Sequence, residues 1–312
     1  MPNWNEVSQE IEKIKQSSRA SHSTVYDKVR RNYLAKLHKQ TKRNIIIYYS
    51  GWLQAGDRAP VDAFSIVDHD KIGFMSACNN IDRKQGLDLI LHTPGGGISA
   101  TESIVEYLHQ MFEDIRVIVP QLAMSAGTMI ACAANSIVMG KQSSLGPIDP
   151  QYGGLPAHGI IEEFNQAHQE IKEDPTRAHL WQPIIHKYRP TLIGECTKAI
   201  DLSEKIVKQW LINRMFHGAK NAAKKADKVV KGLGDHASTL THDRHLSAVK
   251  CKKLGLVIKS LEESQDLQDA VLSLHHSLMH TLSATPAVKI IENHNGQAFI
   301  NHVSTLEKPP SS

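Results

Sequence analysis

Residues 87–151 read LDLILHTPGGGISATESIVEYLHQMFEDIRVIVPQLAMSAGTMIACAANSIVMGKQSSLGPIDPQ, and this stretch decides the fold. It opens with a short β-rich run, Leu87–His92, followed by the glycine loop Thr93–Gly97. An amphipathic helix comes next, with Ile98, Thr101, Ile104, Val105, Leu108, Met111 and Phe112 on one face at helical spacing. A second β-run, Ile115–Val119, ends at Pro120. The small-residue turn Ala123–Gly127 leads into an apolar helix through about Ala134, and Ser136–Met139 reads as the next short strand. This βαβα order is the pattern of a parallel sheet with right-handed crossovers.

The chemistry-bearing residues sit at the two turns. Ser125 lies where a strand gives way to a helix, between residues that let the backbone bend tightly. A serine there projects its hydroxyl while the amides beginning the helix point at whatever it binds, which suits a nucleophile beside an oxyanion hole. The Gly95–Gly97 loop ends the neighbouring strand without side chains to block a substrate, and offers a second oxyanion amide. The competing reading is an ordinary N-cap serine after a plain glycine turn. The turn also lacks the first glycine of the G-x-S-x-G elbow.

The segment HTPGG, the turn AMSAG with TMIA after it, and LGPIDPQ together resemble the serine dehydrogenase proteinase family. That family is a distant branch of the Clp-protease and crotonase superfamily, related also to signal peptide peptidase A. Leu240–Asp243 and the run AVKCKKLGL from Ala248 to Leu256 resemble its distal motif. The likeness spans roughly positions 40 to 260 in order. It implies a Clp-protease/crotonase-like ββα superhelix and a Ser, Asp, His triad, matched by position to Ser125, Asp149 and His242. Signal peptide peptidase relatives use a Ser-Lys dyad instead, for which Lys172, Lys187 and Lys198 are the candidates. Many relatives carry an N-terminal membrane helix; this sequence departs from that pattern.

With 312 residues, 41% hydrophobic and 22% charged, the chain has the make-up of a globular protein with a sizeable core. A net charge of +4 and 5% aromatics argue against a nucleic-acid surface. Cys78, Cys132, Cys196 and Cys251 are widely separated, without a C-x-x-C or Cys/His cluster. We therefore expect buried, reduced thiols, no zinc or other metal site, and no cofactor. Trp4, Glu6, Glu10 and Glu12 leave no apolar core for a signal peptide, and no run reaches a membrane span. The expected location is the cytoplasm.

The organisation we read is a helical arm at 1–43, a catalytic domain at 44–260, a helix plus β-hairpin at 261–303 and a disordered tail at 304–312. In the arm, Val7, Ile11 and Ile14, then Val25, Val29, Tyr33, Leu34 and Leu37, recur on one face, as in a docking or oligomerisation helix. Asn44–Tyr49 is the first core strand; 50–60 either lines a substrate cleft or is a plain surface loop, and we favour the second; 64–80 is a helix with Asp68 or His69 near its start, where His69 and Asp70 are read as a solvated helix start and not a charge pair. His92 is either an alternative base or a hydrogen-bonded structural histidine, and we favour the second. Asp149 sits before Pro150, as an orienting carboxylate or an Asx turn. Asp243 is its rival, while His236 and His245 rival His242 without motif support. A long helix is expected over 191–216, with Ala199 and Leu202 among its buried positions. A lysine-rich helix should follow near 218–236 with a solvated face. Asn295–Gly296 centres a hairpin read as a two-residue type I′ turn.

These readings lead to a serine peptidase acting through an acyl-enzyme on Ser125, with Asp149 and His242 completing the triad. Amides of Ala126 and the Gly95–Gly96 turn would hold the oxyanion. The expected partners are a polypeptide substrate, copies of the same chain, and possible proteins bound by the arm or hairpin. The alternatives are a Ser-Lys dyad peptidase, an acyl-CoA-processing crotonase-like enzyme, and a non-catalytic scaffold.

Overall fold

The computed structural model describes residues 4–17, 22–234 and 244–303. Two helices open the chain, α1 (Trp4–Ser17) and α2 (His22–Thr41). Next come β1 (Asn44–Ser50), the short α3 (Trp52–Ala55), α4 (Asp70–Ala77), β2 (Leu87–His92) and α5 (Ile98–Met111). They are followed by β3 (Ile115–Val119), β4 (Leu122–Ala123), α6 (Ala126–Cys132), β5 (Ser136–Met139) and β6 (Ser144–Leu145). A small hairpin, β7 (Gln151–Tyr152) and β8 (Leu155–Pro156), leads to α7 (Ala157–Glu173), α8 (Ala178–Ile185) and α9 (Leu192–Asn213). The rest is α10 (Ala222–Gly234), β9 (Leu246–Ser247), α11 (Ala248–Leu254), β10 (Ile258–Ser260), α12 (Gln265–Ala284), β11 (Ala287–Asn293) and β12 (Ala298–His302).

Among the described residues, seven strands form the main sheet in the order β10-β5-β3-β2-β1-β11-β12. The first five are parallel, with registers such as Ile46↔Leu89 and Leu89↔Val117, and β11 turns antiparallel on β1. The parallel strands read as continuous apolar runs because both faces of the sheet are covered. On one face Leu89, Leu91 and Val117 meet α4, α5, α6, α9 and α10 through Phe74, Ile104, Met129, Ile206 and Val229. On the other, Ile45, Ile47 and Ile90 meet Val7, Val29, Leu34 and Leu278 of α1, α2 and α12. The amphipathic faces of the two N-terminal helices are thus satisfied within the chain. A second sheet, β4-β6-β9, lies where the main strands end and carries the segments beside Ser125 and Asp149.

Three local expectations are corrected. The helix read over 64–80 is only α4, and Phe64–Val67 is not helical. Its partner is remote in sequence: Ile66 N–H donates to Gly95 O (2.7 Å) and Gly97 N–H donates to Ile66 O (2.9 Å). Asp70 is not solvated but fully buried, accepting from Lys289 Nζ (2.9 Å), Tyr48 OH (2.8 Å) and Val67 N–H (3.0 Å). The C-terminal hairpin has a longer turn than expected. Gly296 has φ 82° but Asn295 is not left-handed, and Asn293 N–H donates to Gln297 O (3.0 Å). That is a three-residue loop ending in a left-handed glycine, capped by the Asn293 side chain accepting from the Asn295 and Gln297 amides. The tail expected to be disordered at 304–312 lies outside the described residues.

Candidate active site

Ser125 stands between β4 and α6 with φ 51° and ψ −119°, a region that side-chain-bearing residues rarely occupy. Its side chain makes no capping hydrogen bond, so the ordinary N-cap reading does not describe it. Such a backbone costs about 1–3 kcal/mol and persists only where its surroundings enforce it. Here they do. Thr93 N–H donates to Leu122 O (3.1 Å) and Met124 N–H to Thr93 O (3.0 Å), holding the approach to the serine against the end of β2. On the far side, Thr128 and Met129 donate to Ser125 O (2.8 and 3.2 Å), starting α6.

The glycine loop comes up against this turn. Gly95 has φ 105°, and a Cβ there would stand 2.6 Å from Ser125 Cβ and 2.8 Å from Met124 O. At Gly96 a Cβ would lie 2.2 Å from Ile66 N, so this loop tolerates no side chain at either place. Gly95 N–H is engaged by Thr93 Oγ1 (3.1 Å) and Gly97 N–H by Ile66 O (2.9 Å). Among the described residues, the amides of Gly96 and Ala126 have no acceptor, and both residues line the cleft that Ser125 enters.

That cleft has a volume of about 830 Å³. Asp149 lines it too, although its residue surface is almost entirely covered. The loop before Asp149 is tied to the serine's own helix: Gly146 N–H donates to Thr128 Oγ1 (2.9 Å). Immediately before Asp149, Ile148 N–H donates to Leu233 O (3.0 Å) at the end of α10. β6 and β9 pair through Leu145↔Leu246. Among the described lining residues Asp149 is the only carboxylate, and the rest of the wall is mostly apolar, including Trp52, Phe64, Ile98, Met129 and Leu202.

The structure therefore brings Ser125, Gly95, Gly96, Ala126 and Asp149 to one cleft. His242 lies outside the described residues, as do His236 and Asp243. His245 is exposed and does not line the cleft. Lys172, Lys187 and Lys198 are likewise exposed and away from it. His92 is fully buried, and its ring nitrogens lack a well-formed hydrogen bond. It packs on Trp52 (ring centroids 4.4 Å apart), Tyr49 and His275. Burial, and then His275, push its pKa well below the ordinary imidazole value, so it is a neutral core group. The four cysteines are buried and unpaired, and burial raises Cys132 strongly and Cys251 to about 12.

Several cleft residues escaped the sequence reading. Ala199 and Leu202 were placed in the core of α9 by their spacing; Leu202 is exposed, and both face the cleft. Trp52 and Gly56 belong to a segment read as a plain surface loop, and Phe64 and Ser65 to one read as helix. A tryptophan directly after the first core strand was the available signal.

The family described as ClpP-like SDH-type serine proteinase matches residues 21–292. The chain is also similar to two proteins of Methanocaldococcus jannaschii, each named only as uncharacterized. One is 33% identical over 174 residues, 56% of this chain and 52% of the relative. The other is 31% identical over 197 residues, 63% of this chain and 61% of the relative. The matches thus take in between half and two thirds of those relatives' length.

Proposed function

The chain belongs to the ClpP-like SDH-type serine proteinase family, and from that premise we propose that it hydrolyses peptide bonds through an acyl-enzyme on Ser125. The observation that carries the reading is the strained, positive-φ Ser125 backbone, which lines the cleft beside two residues, Gly96 and Ala126, whose amides have no acceptor among the described residues. Ser125 Oγ attacks the scissile carbonyl carbon. The His242 imidazole takes the hydroxyl proton and passes it to the leaving amine. Water then attacks the acyl-enzyme by the reverse route and releases the acid. Asp149 orients the imidazole. The oxyanion is held by the amides of Gly96 and Ala126, while Gly95 gives the loop its close approach to Ser125.

The lysine alternative is weaker, because Lys172, Lys187 and Lys198 are exposed and a lysine base needs desolvation. The apolar wall of the cleft suits an extended polypeptide with aliphatic or aromatic side chains. Self-assembly belongs to the proposal as well, supported by α8, where Leu180 and Ile184 are exposed and no residue is buried. Light scattering tests it. No helix among the described residues is long and apolar enough to cross a membrane, and a cytoplasmic location is part of the same proposal.

Labelling with a fluorophosphonate, read by intact mass on wild type, Ser125→Ala, His242→Ala and Asp149→Ala, tests the mechanism. One label on wild type is expected, absent from Ser125→Ala and strongly reduced in the other two. Retention in His242→Ala would assign the base elsewhere. A folded wild type that takes no label, or thioester turnover independent of Ser125, would favour a scaffold or an acyl-CoA enzyme respectively.

A further inference from the structure

Behind the cleft, a buried ion pair sits against the segment that holds the glycine loop. Lys289 on β11 and Asp70 at the start of α4 are both buried, with Lys289 Nζ 2.9 and 3.0 Å from the two carboxylate oxygens. Nζ also donates to the carbonyl of Ser65 (2.6 Å). Asp70 Oδ2 accepts from Val67 N–H (3.0 Å) and from Tyr48 OH (2.8 Å). One residue earlier, Ser50 Oγ donates to Phe64 O (2.8 Å). Phe64 O and Ser65 O are thus anchored to the sheet through Ser50 and Lys289, and Val67 N–H to Asp70 at the start of α4, while Ile66 grips the glycine loop. Its amide donates to Gly95 O (2.7 Å), and its carbonyl accepts from Gly97 N–H (2.9 Å).

From this chain of contacts we infer that Lys289 and Asp70 are positioning residues for the oxyanion pocket at Ser125. The inference rests on the peptidase reading given above. The pair holds 64–67, that segment holds Gly95–Gly97, and the loop presents the Gly96 amide beside Ser125. Lysine has three N–H donors and no acceptor, and here all three have partners: Ser65 O and both Asp70 oxygens. It is therefore not the base of a Ser-Lys dyad, and it is not among the residues lining the cleft. A buried ion pair is weak support for stability, because dehydrating two charges offsets most of their attraction. An apolar pair of similar volume would fill the same space, but it could not bind the Ser65 carbonyl and the Val67 amide.

The test uses the whole chain as wild type, Lys289→Met, Asp70→Asn, Ser50→Ala and the double variant Lys289→Met/Asp70→Leu. Denaturant unfolding reports the fold. Fluorophosphonate labelling rate, peptide kcat and KM, and inhibition by a peptidyl boronate report the pocket; the boronate's tetrahedral adduct needs the oxyanion amides. We expect the double variant to stay folded with a lowered denaturant midpoint, since Tyr48 OH, Val67 N–H and Ser65 O lose their partners, and to label at least tenfold more slowly under conditions where it is fully folded. In it kcat should fall with KM within about twofold, and boronate affinity should fall in parallel with kcat. Ser50→Ala, which leaves the ion pair intact, should give a smaller loss of the same kind. A stable double variant that labels and turns over like wild type overturns the inference. If the double variant fails to fold, Asp70→Asn, which keeps the side-chain volume but removes the charge that holds Lys289, takes its place, and wild-type labelling and boronate affinity in it overturn the inference. A wild type without labelling at Ser125 removes the peptidase reading itself and this inference with it, an outcome distinguishable by the wild-type control alone.

Discussion

Replacing Ser125 by glycine should stabilise the protein while abolishing its reactivity. The serine is held at φ 51° and ψ −119°, and its side chain makes no capping hydrogen bond that the substitution would remove. Glycine reaches this region without the clash of a Cβ, relieving about 1–3 kcal/mol of backbone strain. Its greater freedom in the unfolded chain offsets about 0.5–1 kcal/mol of that gain. Alanine loses the hydroxyl but keeps the Cβ, so the Gly–Ala difference isolates the backbone. Ser125→Gly should exceed Ser125→Ala by about 0.5–2 kcal/mol, and should equal or exceed wild type. Guanidinium unfolding of the three proteins, compared at equal m, measures this, with fluorophosphonate labelling alongside. Equal stability of the glycine and alanine variants, or a less stable glycine variant, would refute the idea that strain is stored at this turn. The nucleophile reading would then lose its main structural support.

Gly96→Ala should cripple labelling by about 10²–10³-fold, because its Cβ would meet the Ile66 backbone at 2.2 Å and displace an oxyanion donor; wild-type labelling would sink that assignment. Thr128→Val leaves the buried Gly146 amide without its acceptor, costing about 1–3 kcal/mol in denaturant unfolding. It should also slow labelling by loosening the loop that carries Asp149. Stability should fall in acid: unfolded histidines take up protons near pH 6.5, while folded His275 is held neutral to about 3 by burial and His92 stays neutral well below 6.5. The stabilisation is therefore complete above pH 6.5 and is lost below it at up to about 1.4 kcal/mol per pH unit for each ring. A His92→Asn/His275→Asn variant should show a flatter slope between pH 6.5 and 5 in urea unfolding; an unchanged slope contradicts the assignment.

What was legible in the sequence, and what was not, divides by the range of the interaction. β2, β3 and β5 have the limits read from their apolar runs, since they lie inside the covered sheet and Pro94, Pro120 and Gly140 follow closely after their ends. Phe64–Val67 was misread as helix because its hydrogen-bonding partner is the glycine loop, far along the chain, and no local pattern announces that pairing. The same cause hid Lys289 and Glu292. Alternation on a C-terminal hairpin would put such charges in water, but β11 pairs with β1 and is buried along its whole length. Lys289 finds Asp70, and Glu292 finds Arg30 and Arg31 (2.6 Å each).

Ser125 and Asp149 entered the reading by another route: Ser125 from the small residues of its turn, Ala123 and Gly127, and Asp149 from the family resemblance of LGPIDPQ, where Gly146, Pro147 and Pro150 mark backbone that must bend in a defined way. The bend at Ser125 is thus written in short-range chemistry, and the contacts that hold the glycine loop against it are written in remote pairs. A substitution beside Ser125 should therefore change its reactivity directly. One at Lys289 or Asp70 should act only through the Ile66 hydrogen bonds to Gly95 and Gly97. The two routes differ in what they leave behind. The first removes the nucleophile or its donors, whereas the second leaves every reacting group present but slightly misplaced, which costs rate more than substrate binding.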